Sequence, residues 1–217
     1  MGIDHEYALI GGVNRATIGR WIGTLAAGIS AVLVFIILTM VDVASSLGID
    51  AKIPPSVFSL LGAGAVYGIF YLLFSKYIWK WEVIVKVMQV PDLSGKWICR
   101  GQSSYTQDGD GFGGDWEGIV EISQSWDKLC IVLKTTQSRS ESVSAALIAE
   151  GSGAYRLLYH YKNDPRVFED GLHAHHGFVD LLVSSGLLEA DGVYFTGRGR
   201  TTHGTMSWER IEDGAAN

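Results

Sequence analysis

The chain of 217 residues carries 17 Lys and Arg against 23 Asp and Glu, a formal net charge of −6, and 47% of its residues are hydrophobic. From Pro91 onward 11 basic side chains face 18 acidic ones, which excludes the broad basic surface that long nucleic acid requires. The two cysteines, Cys99 and Cys130, are too few for a disulfide framework, and we expect both to be buried thiols.

Two long uncharged segments come first in the chain. Trp21 to Val41 comprises 21 residues and Val57 to Ser75 comprises 19, and neither contains a charged residue. About 20 apolar residues in a helix cross the roughly 30 Å hydrocarbon core of a bilayer. The first segment is too long for the apolar part of a cleaved signal peptide, and a second follows it. We therefore predict a short N-terminal segment, residues 1–20, and then two transmembrane helices with an interfacial linker, residues 21–90.

Basic residues flank these spans on one side only. Those outside the hairpin are Arg15, Arg20, Lys76, Lys80 and Lys86. The connecting loop, residues 42–56, contains Lys52 alone. Because basic flanks stay in the cytoplasm, we expect both termini and the domain after the spans to be cytoplasmic. Tyr77, Trp79 and Trp81 predict an aromatic belt at the inner membrane interface.

Small residues recur at four-residue intervals in both spans. Gly23 and Ala27 belong to such a stripe in the first span, and Gly64 and Gly68 form one in the second. Small residues at this spacing let helices approach closely in lipid, either within one chain or between chains. Neither span contains an ionisable residue, which argues against a pump, a transporter or an ion-selective channel.

Eight short segments rich in β-branched and aromatic residues follow, separated by turn signals. They lie near 95–105, 116–125, 129–135, 143–149, 155–162, 176–184, 192–198 and 203–211. Several alternate with a period of two, as Tyr159 and Tyr161 do with His160, which indicates one buried and one solvated face. We predict that residues 91–217 form an all-β domain, an eight-stranded antiparallel up-and-down β-barrel, with a two-sheet sandwich as the alternative.

An up-and-down order places successive connections at alternate ends of the barrel. One end carries the connections 126–128, 150–154 and 185–191. This end also contains the start of the first strand, so it should face the membrane. The opposite rim carries 106–115, 136–142, 163–175 and 199–202. Because barrel mouths are common ligand sites, this second rim is the candidate site.

The residues of this rim suit a phosphate-containing ligand with stacked bases. The candidate ligand-binding residues are Arg139, Tyr159, Tyr161, Arg198, Arg200, Thr201, Thr202 and Tyr105. Guanidinium groups bind phosphate bidentately, and tyrosine rings stack on bases. The alternative is that the arginines form a solvated face and the alternating tyrosines belong to the core.

No catalytic motif is present in the sequence. It lacks a G-x-S-x-G elbow, a Walker loop and an H-E-x-x-H motif. His173, His175 and His176 cluster, but no carboxylate has the spacing of a known metal site. We predict a protein without catalytic residues, metal or cofactor.

Two segments, together with the order of the elements, resemble a known family. Leu93-Ser94-Gly95-Lys96-Trp97 opens the strand region, and Gly204-Thr205-Met206-Ser207-Trp208-Glu209 ends it. Two spans followed by eight such strands resemble the two-transmembrane β-barrel effectors of bacterial CBASS anti-phage systems. The resemblance implies a cyclic di- or oligonucleotide ligand made by a partner nucleotidyltransferase. It also implies multi-pass insertion in the bacterial inner membrane, self-association among lipids, membrane disruption and death of the infected cell.

The Gly95-Lys96-Trp97 triplet also resembles the opening of lipocalin-like barrels, in which such a tryptophan closes one end. This second resemblance implies the alternative function of a membrane-anchored carrier or sensor of an apolar small ligand. A membrane-tethered hydrolase is the third hypothesis. Ligand measurements separate the three hypotheses. The affinity of an apolar carrier does not depend on salt concentration, that of a phosphate sensor does, and an enzyme converts its ligand chemically.

Overall fold

A computed structural model describes residues 3–49, 53–104, 114–165, 174–197 and 202–211. The chain divides into two compact units, Val13–Trp81 and Met1–Gly12 together with Glu82–Asn217. The first unit is helical. The second is a β-sheet unit that takes residues from both ends of the chain and includes a short helix, Glu82–Met88.

The helical unit begins with α1 (Arg15–Ser46), which is longer than the predicted span. Asn14 caps this helix, and its Oδ1 accepts a hydrogen bond from the Ala16 N–H at 2.8 Å. At 1.5 Å per residue, its 32 residues extend about 48 Å, more than the bilayer core. Large apolar side chains stay exposed, with Phe35 at 70% and Met40 at 65%. Within the described ranges, α1 is the one helix with the length and hydropathy of a membrane crossing.

The second predicted span, residues 57–75, is not a single helix. Two helices take its place, α2 (Pro55–Leu60) and α3 (Ala63–Lys76). Gly62 precedes α3 with an extended backbone, φ −60° and ψ 147°, and glycine is a poor helix former. The break frees the Leu61 carbonyl, which accepts a hydrogen bond from the buried Ser30 hydroxyl of α1. A side chain thereby satisfies the backbone group that the break exposes, as an apolar surrounding requires.

The two predicted small-residue stripes have different surroundings. The buried residues of α1 are Ile18, Ile22, Ala26 and Ser30. Gly23 lies beside α3, because a Cβ there would be 3.9 Å from the Tyr67 ring. Ala27 is exposed, and Gly64 and Gly68 have no described atom within 4 Å outside their own helix turns. Among the described residues, packing within the chain therefore uses Gly23 but not Gly64 or Gly68.

Two of the three residues predicted for the aromatic belt are exposed. Tyr77 and Trp81 are 55% and 61% exposed, whereas Trp79 is only 1% exposed. Trp79 lies in a 3₁₀ turn, Ile78–Lys80, with the Lys80 Nζ 5.4 Å from its ring centroid. Trp79 is therefore a buried side chain, unlike the other two residues of the predicted belt.

The β-sheet unit contains nine strands in the described part of the chain. They are β1 (His5–Ile10), β2 (Gly95–Ser104), β3 (Gly114–Gln124), β4 (Lys128–Thr135), β5 (Ser138–Ala149), β6 (Tyr155–Pro165), β7 (His175–Val183), β8 (Glu189–Gly197) and β9 (His203–Arg210). The strand order β1-β4-β3-β2-β9-β8-β7-β6-β5 closes into a barrel. All eight predicted segments are strands, and from β2 to β9 each pairs antiparallel with the next. The closed order distinguishes the fold from a two-sheet sandwich.

Residues 5–10, expected in a short N-terminal segment, form the ninth strand. β1 pairs in parallel with β5, where Tyr7 is opposite Ala145, and antiparallel with β4, where His5 is opposite Leu129. Tyr7 is 2% exposed, and its hydroxyl donates to the Trp126 carbonyl at 3.1 Å. The predicted count of eight strands is therefore corrected to nine, because the N-terminus completes the barrel wall.

A bulge in β5 makes room for β1. β4 and β5 pair directly at three positions next to their turn. Beyond a register shift between Ser142 and Ser144 they separate. The Ser142 hydroxyl accepts from the Ile131 N–H at 2.9 Å and shares a hydrogen bond with His5 Nε2 at 2.7 Å. Ser142 therefore pairs with a backbone N–H of β4, where β4 and β5 separate, and also contacts β1.

Trp97 closes one end of the barrel, in agreement with the lipocalin-like opening. Its ring is 1% exposed, and its Nε1 donates to the Leu93 carbonyl at 3.1 Å. The Arg210 guanidinium lies 5.3 Å from the ring centroid and donates to the carbonyls of Asp92 at 3.1 Å and Leu187 at 3.3 Å. Because the guanidinium N–H groups are hydrogen-bonded and its positive charge lies over the indole ring, Arg210 stabilises Trp97 in the closed end of the barrel.

Both chain connections to the helical unit leave from this closed end. β1 finishes there with Ile10 opposite Ile148 of β5, and β2 begins there at Gly95. A Cβ at Gly12 would lie 2.8 Å from the Met88 carbonyl oxygen, so the two connections are adjacent. The opposite end of the barrel is therefore free of these connections.

The two cysteines are buried thiols, as predicted. Cys99 is 0% exposed and Cys130 is 3% exposed, and neither forms a disulfide. Burial raises the pKa of Cys99 to about 12, with the Trp208 side chain acting in the opposite direction. Burial also raises the pKa of Cys130. Both thiols are therefore protonated at neutral pH and unsuited to nucleophilic chemistry.

Candidate functional site

The barrel opens at the end opposite Trp97, around a cavity of about 540 Å³. This volume is typical of small-molecule sites. Its lining includes Ser138 at the β4–β5 turn and Gly114 at the start of β3. Thr196 and Thr202, on either side of residues 198–201, also line it. The cavity therefore lies at the rim predicted from the alternation of the connections.

An aromatic column from β6 forms one side of the cavity. Tyr159 and Tyr161 point inward, 4% and 7% exposed, with ring centroids 6.3 Å apart. Burial holds the pKa of Tyr159 well above its usual value, so its hydroxyl stays neutral. The Tyr161 ring is edge-on to His175 at 6.3 Å. It lies over Gly177 of β7, where an added Cβ would be 2.3 Å from the ring, so only glycine leaves this space.

A second aromatic pair lies across the barrel. Trp116 and Tyr194 meet edge-to-face at 5.7 Å, and Trp116 Nε1 donates to the Tyr194 hydroxyl at 3.2 Å. The same hydroxyl shares a hydrogen bond with Ser103 Oγ at 2.5 Å. The indole covers Gly101, where an added Cβ would lie 2.1 Å from it. These contacts hold two large rings in defined positions at the wall of the cavity.

Hydroxyl and amide groups fill most of the remaining lining. Ser140 Oγ donates to Asn163 Oδ1 at 2.7 Å. The Thr196 and Thr202 hydroxyls are 2.9 Å apart, and the Thr202 N–H donates to Thr196 Oγ1 at 3.0 Å. Polar groups of this density suit a ligand with many hydrogen-bonding atoms. They disfavour the alternative of an apolar carrier, whose cavity is lined mainly by hydrocarbon.

The described lining contains no lysine or arginine. Its two acidic residues, Asp115 and Glu117, are exposed and flank the inward-facing Trp116, so their carboxylates lie outside the cavity. A phosphate at this mouth therefore needs cations from the rim segments. Residues 198–201, with two arginines, connect the two lining threonines, Thr196 and Thr202.

The structure brings three of the predicted ligand-binding residues together. Tyr159, Tyr161 and Thr202 all line the cavity. Arg139 does not, because Ser138 and Ser140 on either side of it face inward. The Arg139 guanidinium pairs instead with Glu141 at 3.3 Å on the outer wall. Four further predicted residues lie outside the described ranges, namely Tyr105, Arg198, Arg200 and Thr201.

Several lining residues are absent from the sequence-based candidates, chiefly Trp116, Asn163, His175 and Tyr194. Extending the alternation of Tyr159 and Tyr161 by one step would have indicated Asn163. Tyr194 lies in a predicted strand whose inward face the sequence pattern does not specify. No signal in the sequence indicates that His175 packs on Tyr161.

Comparisons with known proteins identify the family. Residues 88–210 match the family described as Cap15, cyclic dinucleotide receptor domain. Residues 16–80 match the family described as Cap15, TM helices. The CD-NTase-associated protein 15 of Yersinia aleksiciae is 40% identical over 209 residues, which are 96% of this chain and 98% of that protein. The chain belongs to the Cap15 family.

Membership of the Cap15 family confirms the resemblance to the CBASS effectors. The chain is a CBASS-associated protein with membrane helices and a cyclic dinucleotide receptor domain. The receptor match covers β2 to β9, the strands that surround the cavity.

Proposed function

We propose that this chain is a membrane effector that binds a cyclic dinucleotide in the open mouth of its barrel. The observation that carries the proposal is the polar and aromatic cavity of about 540 Å³ within the matched receptor domain. Bases stack on tyrosine rings, while ribose hydroxyls and base edges pair with serine, threonine and asparagine side chains. The ligand comes from a partner nucleotidyltransferase, as the name of the Yersinia relative, CD-NTase-associated protein 15, suggests.

Arg198 and Arg200 supply the phosphate contacts in this proposal. In the sequence they stand between two threonines that line the cavity, whereas the described lining contains no lysine or arginine. Replacing either arginine with alanine should weaken cyclic dinucleotide binding by about 1.5–3 kcal/mol through loss of a charge-assisted hydrogen bond. Isothermal titration calorimetry on the full chain in detergent is the measurement.

The matched control is Arg156→Ala. Arg156 pairs with Glu150 at 3.1 Å and Asp180 at 2.8 Å on the outer wall, so its loss should leave affinity unchanged. A wild-type chain that binds no cyclic dinucleotide would overturn the proposal. Unchanged affinity in both rim variants would instead move the phosphate contacts elsewhere.

Both termini and the barrel are cytoplasmic in this proposal. β1 precedes α1, β2 follows α3, and both belong to one barrel, so the intervening chain crosses the membrane an even number of times. The basic flanks, including Arg15 and Lys76, favour the cytoplasmic side. A reporter fused after Asn217 should behave as cytoplasmic and one inserted at Ile49 as periplasmic. The reverse result would separate the barrel from a cytoplasmic nucleotide and contradict the function.

Ligand binding promotes assembly in the inner membrane, and assembly disrupts it. One hairpin without ionisable residues in its spans has no conduction path of its own. Toxicity therefore arises from several hairpins together. A ligand favours the assembled form only if it binds that form more tightly than the single chain. Cell death then follows production of the nucleotide during infection.

A further inference from the structure

Asn163 is a buried amide with one half of its hydrogen bonding unused. It is 3% exposed and lies on the inward face of β6, next beyond Tyr161 toward the open end. Its Oδ1 accepts a hydrogen bond from Ser140 Oγ at 2.7 Å. Its Nδ2 is buried and has no hydrogen-bond partner in the described part of the chain. The side chain also lines the cavity.

An unpaired donor in this position is costly to the free protein. Buried polar groups are nearly always hydrogen-bonded, so an exception needs a physical reason. Real proteins break such local rules mainly at functional sites. Because Ser140 already holds the carbonyl side of the amide, Nδ2 is the atom left for a ligand acceptor.

The surroundings of Asn163 favour a base over a phosphate. Its inward neighbour is the Tyr161 ring, which packs edge-on against His175 at 6.3 Å. The described lining contains no lysine or arginine, so a phosphodiester deep in the cavity would lack a counter-charge there. A neutral planar base stacks on such rings and carries ring-nitrogen or carbonyl acceptors.

We propose that Asn163 is a base-recognition residue. One base of the cyclic dinucleotide enters the cavity, stacks against Tyr161 and accepts a hydrogen bond from Asn163 Nδ2, while the phosphates stay at the rim. Ser140 is a positioning residue that orients the amide. This inference rests on the proposed function and adds to it the orientation of the ligand, with a base inside the cavity and the phosphates at the rim.

The test compares the wild-type chain with the double variant Ser140→Ala/Asn163→Leu, using cyclic di-AMP, di-GMP, di-CMP and di-UMP as probes. The variant removes the donor together with its partner, so neither polar group is left behind. Affinity for the tightest of the four probes should fall about ten-fold or more, since the base acceptor is left unpaired. The differences among the four probes should shrink, because the contact that reads the base edge is gone.

A second measurement separates binding from folding. The ligand-free variant should unfold at the same temperature as the wild type or higher, because an unpaired buried amide is replaced by an apolar side chain. Lys162→Ala is the control, since Lys162 is on the outer face of the same strand and pairs with Asp164 at 2.9 Å. It should change neither affinity nor base preference.

Two results would overturn the inference by assigning Asn163 a different role. In one, all four probes weaken by the same factor, which indicates a backbone contact. In the other, the ligand-free variant is destabilised while base preference is kept, which indicates a structural role. Full binding by the double variant with loss of binding in Arg198→Ala would reject this inference and keep the proposed function. Absence of any binding by the wild type would reject both.

Discussion

Replacing Tyr7 with alanine should lower the free energy of unfolding of the barrel by about 3–5 kcal/mol, the usual cost of truncating a buried aromatic residue. The Tyr7 ring is 2% exposed and belongs to the core cluster that also contains Trp97 and Leu147. Its hydroxyl donates to the Trp126 carbonyl at 3.1 Å. The variant would therefore leave a cavity and remove a buried hydrogen bond.

Thermal and urea unfolding of the full chain in detergent, followed by the β-sheet circular dichroism signal, measures this change. Ile10→Ala is the matched control, because Ile10 lies on the same strand but is 51% exposed. Its effect should stay within about 0.5 kcal/mol. A Tyr7 variant as stable as the control would mean that β1 contributes nothing to the barrel.

The position of Tyr7 also has a practical consequence. A truncated protein beginning at Pro91 would lack β1 and leave the seam between β4 and β5 unpaired beyond the bulge at Ser142. Exposed strand edges promote aggregation. Ligand measurements therefore require the chain with its N-terminus intact.

Replacing Gly64 and Gly68 together with leucine should abolish membrane depolarisation while leaving ligand affinity unchanged. A Cβ added at either glycine would meet no described atom within 4 Å outside its own helix turn, so we expect the single chain to tolerate leucine at both positions. Leucine would block close approach of a helix from another chain, which small residues at this spacing permit. Assembly should therefore fail after the ligand has bound.

The measurements are calorimetric affinity and a membrane-potential dye in cells in which the partner synthase is active. Gly28→Leu is the control, because Gly28 also has open space around it but lies off the stripe. Gly23→Leu serves as a contrast, since it contacts Tyr67 and should disturb the hairpin itself. Intact depolarisation in the Gly64/Gly68 variant would show that α3 is a passive tether and that the assembly proposal is wrong.

Local patterns predicted most of the fold correctly. The alternation of Trp116, Gly118, Val120 and Ile122 places these residues inward on β3, as the burial pattern of the strand shows. Period-two alternation is reliable here because one face of each strand is enclosed by the barrel. The open rim followed from counting connections, since antiparallel neighbours must alternate ends.

The differences between the sequence-based expectations and the structure share one cause, which is that a partner distant in sequence determined each local arrangement. Residues 5–10 have no strong strand pattern of their own, yet a bulge in β5 leaves a gap that they fill. The second span breaks at Gly62, where Ser30 of another helix satisfies the freed carbonyl. Arg139 faces outward because the register of β5 turns Ser138 and Ser140 into the cavity.

Sequence patterns alone predicted the apolar segments, the antiparallel order of the eight later strands and the rim at which the cavity opens, and a family resemblance indicated that Trp97 closes one end. Length, charge and alternation are local properties, so they can be read without knowing any contact. That the N-terminus completes the barrel, and that Asn163 is a buried amide with an unused donor, depends on contacts between residues far apart in the chain. Barrel closure sets the register between strands far apart in the chain, and register determines which polar groups meet a partner and which are left to a ligand.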